Sequence, residues 1–156
     1  MRRFTILAAM VCALVLATTS WAQSPHYITL NEGINCTTNC YDVFLKEAGL
    51  GGADTITYTL TANATFQAQC FTRSGKPVNG TVKQGEGTAS SQTTLDVRNG
   101  QTTGTISLCP AAFDLPDPGC TGSQHIEIIT ASYTNVVLDD GAGNADAENL
   151  SDQSCP

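Results

Sequence analysis

The sequence predicts an all-β domain, an immunoglobulin-like β-sandwich stabilised by disulfides, and three observations carry that expectation. Apolar or small residues fall on every even position from Ile56 to Cys70 while threonine, asparagine and glutamine fill the odd ones, the period of a half-buried strand. An Asn99-Gly100 pair sits between two further alternating runs, as a tight hairpin turn requires. Cysteines are frequent, and no stretch carries a helical period long enough to build a bundle.

Taken in order, Met1 to Ala22 has the three parts of an export leader: Arg2-Arg3, an apolar run from Phe4 to Ala17, and the small-residue exit Ser20-Trp21-Ala22. The run is shorter than the ~20 residues that span a bilayer, and no second apolar segment follows, so cleavage before Gln23 is expected rather than a membrane anchor. The expected location is secreted: extracellular, or periplasmic if the source has an outer membrane. Residues 23–138 then form the sandwich, and 139–156 read as an acidic C-terminal tail tied down by Cys155.

Short strands are expected at Tyr27 to Leu30 and around Tyr41 to Leu45, with a single helical turn over Asp42 to Glu47 as the alternative to the second. The even-position run 56–70 is either one long bent strand, able to pass between sheets, or two strands joined by an odd-length connection. Around Asn99-Gly100, pairing Arg98 with Gln101 places Leu95 and Val97 on one face with Thr102, Gly104, Ile106 and Leu108. The final strand spans Gln124 to Leu138. Ile126 and Ile128 differ in parity from Ile129, Ala131 and Tyr133, so a bulge is expected near Ile129. Pro110 to Gly119 holds three prolines and reads as an irregular loop.

Cleavage would remove one of the seven cysteines and leave Cys36, Cys40, Cys70, Cys109, Cys120 and Cys155, an even set suited to three disulfides. It would also remove the single tryptophan and two of the seven basic residues while all fourteen acidic ones remain, making the chain more negative than its formal charge of −7. Nucleic acid and anionic membranes are unsuitable partners for such a surface.

Three segments occur in a familiar order: Cys70-Phe-Thr-Arg-Ser-Gly-Lys-Pro-Val-Asn79, Val97-Arg-Asn-Gly-Gln101 and Ser132-Tyr-Thr-Asn-Val-Val-Leu138. Together, over Asp54 to Leu138, the chain resembles a family of small secreted disulfide-containing β-sandwich proteins of bacteria and filamentous fungi with no assigned activity. The resemblance implies secretion, a β fold and a Cys70 to Cys120 bridge, with a local Cys109 to Cys120 bridge as the competing pairing. Cys36 and Cys40 lie outside the shared region.

No catalytic set stands out. A serine or cysteine nucleophile needs a histidine base, and only His26 and His125 are present. Carboxylates for glycoside hydrolysis would come from Asp42, Glu86, Asp96 or Glu127, without the tryptophan that lines many sugar clefts. Zinc at Cys36 and Cys40 would need two further ligands. Candidate calcium ligands are Asp140, Asn144, Asp146 and Glu148, spaced as oxygen donors but outside any EF-hand pattern. No cofactor is expected. Asn35, Asn63, Asn79 and Asn149 head N-glycan acceptor patterns, of which about two would arise by chance in so threonine-rich a chain.

What remains is a non-enzymatic binding or structural module for an extracellular protein or glycan. Its candidate ligand loops are 73–79 and 110–119, with Arg73 and Lys76 in the first and Phe71 and Phe113 as the candidate exposed aromatics. The alternatives are a small carboxylate hydrolase or a carbohydrate-binding module.

Overall fold

A computed structural model describes residues 24–141 and 148–156. The leader over 1–22, and Asn144 and Asp146 of the calcium set, lie outside the described residues. The described strands are β1 (His26–Asn35), β2 (Cys40–Ala48), β3 (Thr55–Phe71), β4 (Lys83–Asp96), β5 (Gln101–Leu108), β6 (His125–Asp139), β7 (Glu148–Asn149) and β8 (Gln153–Cys155), with a 3-10 turn at Pro110–Ala112.

Two antiparallel sheets face each other. One has the order β1-β2-β5; the other runs β4-β3-β6-β7, with β8 also pairing β6. The all-β expectation is met. In the constant-type immunoglobulin order the fourth strand lies beside the fifth, whereas here β4 lies beside β3.

Alternation explains the core. Tyr41, Val43 and Leu45 of β2 point inward against Ile56, Tyr58, Leu60 and Phe66 of β3, with Ile106 and Leu108 of β5 beside them. Each such large side chain withdrawn from water contributes about 1.5–3 kcal/mol. All even positions of β3 from Ile56 to Cys70 are buried, and the strand stays within one sheet along its whole length.

β6 changes parity twice. Its register with β3 steps from Thr130–Gln67 to Ile128–Ala68, which leaves Ile129 unpaired as the anticipated bulge. A second step, from Thr134–Asn63 to Val137–Thr61, holds Asn135 at φ +50° and moves the buried positions from Ala131 and Tyr133 to Val136 and Leu138. Asparagine tolerates that left-handed conformation better than most residues.

The turn after β4 has the predicted form. Arg98 and Gln101 exchange two backbone hydrogen bonds, of 2.8 and 3.1 Å, and Asn99 and Gly100 have φ values of +52° and +70°. The hairpin does not continue, because β4 then joins β3 and β5 joins β2. Leu95 and Gly104 both face inward as expected, but from opposite sheets. A Cβ on Gly104 would stand 2.6 Å from Leu95 Cδ2, so glycine there lets the sheets close.

Two segments are more ordered than their composition implies. Phe113, expected to be exposed, is only 9% exposed and packs edge-on against Phe66 and Tyr133, with ring centroids 5.1 and 6.0 Å away. The loop reaches inward because Gly85 and Gly87 of β4 leave room: a Cβ on Gly85 would lie 3.0 Å from Pro116, and one on Gly87 3.8 Å from Phe113. The described tail is likewise part of the fold rather than a solvated extension. β7 and β8 hydrogen-bond to β6, Leu150 packs on the core and Cys155 is buried.

Candidate functional site

The structure pairs Cys36 with Cys155, Cys40 with Cys109 and Cys70 with Cys120. Cys109 is thereby committed to β2, and the local Cys109–Cys120 bridge does not form. Cys36 and Cys40 also go to different partners, which removes both thiolates from the zinc reading. Three disulfides fit an oxidising environment. Among the described residues no helix is long and apolar enough to cross a membrane.

All three bridges staple one end of the sandwich, where the turn 36–39, the loop 72–82 and the loop 109–124 meet. Each loop is fixed from within. Asn35 Oδ1 accepts from the Thr37 amide at 3.0 Å, and the Tyr133 hydroxyl donates to the Asn39 carbonyl at 2.6 Å. In the second loop Thr72 and Lys76 are joined by backbone and side-chain bonds of 2.9 and 3.1 Å, with Gly75 at φ +74° between them. The Val78 amide donates to the Cys70 carbonyl at 2.8 Å, closing the loop onto β3. Arg73 and Lys76 project from this frame and are exposed. Phe71 is half-buried, tilted over the His125 ring at a centroid distance of 6.3 Å.

Beside these loops lies an open groove of about 540 Å³, lined by Thr37, Asn39, Leu115, Pro116, Ile126 and Ile128 and edged by Asp117 and Glu127. Ile126 is 48% exposed there, because β6 extends past the cover of the opposite sheet. No sequence motif marks this groove. Its signal was available in the parity change at Ile129, which turns Ile126 and Ile128 inward at an end that the short strands β2 and β5 do not reach.

The carboxylate candidates are scattered. Glu86 pairs with Thr65 and Glu127 with Gln69 on opposite sides of β3, about 13 Å apart along the strand direction alone. Glycosidase pairs keep about 5–9.5 Å. Asp96 stands near the opposite end, across from Thr55, and Asp42 lies on the other sheet, accepting from the Ser107 hydroxyl at 2.6 Å. His125 Nε2 contacts Glu127 at 2.7 Å on the surface, and His26 Nδ1 contacts the Ser24 carbonyl at 3.0 Å. Neither imidazole is bonded to a serine hydroxyl among the described residues.

Of the calcium candidates within the described residues, Asp140 is 2% exposed and Glu148 is exposed on β7. No group of three or more His, Cys, Asp or Glu among the described residues is arranged to hold a metal ion. Of the glycan acceptors, Asn79 and Asn149 are exposed, Asn35 caps its turn, and Asn63 accepts from Thr88 Oγ1 on the outer face of β3.

A different acidic feature sits at the far end of the sandwich. Glu47 continues the inward register of Tyr41, Val43 and Leu45, and Asp140 that of Val136 and Leu138, so both carboxyls turn inward. Glu47 is fully buried, with Oε2 accepting from the Tyr58 hydroxyl at 2.5 Å. Burial drives its pKa upward, Asp140 adds to the rise, and the Tyr58 hydrogen bond and His26 oppose it. Burial and these carboxylates likewise push the Tyr27 and Tyr58 phenols up.

Compared with protein-family models, curated proteins and solved structures, the chain matches none.

Proposed function

We propose that the chain is a secreted, acidic, non-enzymatic binding module whose ligand surface is the disulfide-stapled end of the sandwich. One observation carries the reading: three disulfides and the Tyr133 hydroxyl converge on three loops, holding exposed Arg73 and Lys76 and an open apolar groove on a rigid frame. Loops fixed before binding lose little conformational entropy on complex formation, which favours recognition. The separation of Glu86, Asp96, Glu127 and Asp42 argues against the carboxylate hydrolase, and the burial of Phe113 leaves few exposed rings for a stacking sugar site.

Cross-linking of the secreted protein in its native medium, followed by peptide mass mapping, tests the proposal. Links to partners from Lys76 and Lys83 are expected. R73A/K76A should abolish capture while leaving the thermal midpoint unchanged. Hydrolysis of esters, glycans or peptides that disappears in E127Q, E86Q or D96N would overturn it.

A further inference from the structure

A second cleft lies at the opposite end from the stapled loops, on the seam where β4 and β5 part. It measures about 540 Å³ and is lined by Lys46, Thr94, Leu95, Asp96, Arg98, Gln101, Thr102 and Thr103. The seam opens because the bonds between Arg98 and Gln101 are the last backbone–backbone bonds between the two arms before β4 and β5 enter different sheets. Leu95, packed over Gly104, forms the apolar floor. Thr102 Oγ1 donates to the Asp96 carbonyl at 2.8 Å and Thr103 Oγ1 to the Leu45 carbonyl at 3.4 Å, so two hydroxyls of the wall hold its shape.

Thr94 Oγ1 is bonded to Thr57 Oγ1 at 2.8 Å, while the long polar side chains of the lining are uncommitted. Lys46, Arg98, Asp96 and Gln101 make no side-chain hydrogen bond or ion pair with another described residue. In a chain with seven basic residues against fourteen acidic ones, two cations converge on one cleft and neither is neutralised by a carboxylate in contact with it.

We infer that this seam cleft binds an acidic carbohydrate, with Lys46 and Arg98 taking the carboxylates of uronate residues and Asp96 and Gln101 the neighbouring hydroxyls. Arginine and lysine supply charge-assisted bonds to carboxylate oxygens. Asp96 accepts from sugar hydroxyls, and Gln101 both donates and accepts. Leu95 gives the ring an apolar surface to rest on, and the volume lies within the range of small-ligand sites. An acidic peptide would satisfy the two cations but brings no ring hydroxyls to donate to Asp96, and would set its backbone carbonyls against that acceptor instead. The site is independent of the stapled-loop reading, since it shares no residue with it.

Calorimetric titration of the secreted chain with an oligogalacturonate tests this, with a neutral gluco-oligosaccharide of equal length and a short polyglutamate as comparisons. Binding of the oligogalacturonate is expected, with weak or absent binding of the other two and a loss of affinity as salt is raised. K46A/R98A should weaken it at least about tenfold with the thermal midpoint unchanged. K46A alone, a single substitution on the wall of the cleft, should weaken oligogalacturonate binding in the same direction, which keeps the test decisive if the double variant melts early. Failure to bind oligogalacturonate, equal binding of polyglutamate, or affinity unaffected by K46A/R98A would overturn the inference.

Discussion

The Tyr58 hydroxyl donates to Glu47 Oε2 at 2.5 Å inside the sandwich, joining β3 of one sheet to β2 of the other through a carboxyl that solvent does not reach. Glu47 Oε1 has no hydrogen-bond partner among the described residues, which makes the charged form expensive there. Asp140 raises its pKa further, while Tyr58 and His26 only partly offset the shift.

That relationship has a definite sign with pH. Because Glu47 binds its proton more tightly folded than unfolded, its contribution is complete below the ordinary carboxylate pKa of about 4.3 and is lost as the pH rises through the raised folded value. Melting curves from pH 4 to 8 should therefore show E47Q gaining on the parent chain as the pH rises. A constant difference between the two would refute the assignment. Y58F, which strips the carboxyl of its donor, should cost about 1–3 kcal/mol at neutral pH.

The proline loop acts as a plug. Phe113→Ala removes the ring that meets Phe66 and Tyr133 and should cost about 3–5 kcal/mol by denaturant titration. G85V should expel the same loop by a different route, since even a Cβ at that position already meets Pro116 at 3.0 Å. Limited proteolysis between residues 111 and 119 should accelerate in both variants and stay slow in the parent.

Across the seam, Gly104 and Leu95 form a size-matched pair. G104V should destabilise the chain by about 1–3 kcal/mol through overpacking, and L95A should recover part of that loss when combined with it. Strictly additive effects in the double-mutant cycle would show that the two positions do not share the space.

The Cys36–Cys155 bridge closes 119 residues and, with the Tyr41 hydroxyl donating to the Ser151 carbonyl at 2.8 Å, holds the chain end against β6. C36S/C155S should cost about 2–5 kcal/mol. Amide exchange should rise first at Leu150 and at Gln153–Cys155, ahead of the β3 amides, if the bridge serves the tail before the core.

How much was legible follows from how strongly each segment patterns. β3 could be read because every inward position is apolar or small, and the Asn99-Gly100 turn because few other pairs accept two positive φ angles. β4 was legible only at its Leu95 end. Its inward positions Gly85, Gly87, Ala89 and Ser91 are all small, the first two leaving room for the proline loop, and so carry no hydrophobic period. Glu47 carries no signal of burial in the sequence and Asp140 reads there as part of an acidic tail, since charge alone says outside and only the opposing sheet says inside.

By itself, then, the sequence determined that this chain forms antiparallel strands, where its most distinctive turn falls, and that its paired cysteines suit an oxidising compartment. These are local properties of side-chain size, backbone freedom and thiol chemistry. Tertiary structure alone decided that β4 and β5 enter opposite sheets, that Phe113 closes one end, that Glu47 is buried at the other, and which cysteines meet. Each of those outcomes depends on contacts between residues far apart in the chain, and the free energy of such a contact belongs to the packed pair rather than to either residue.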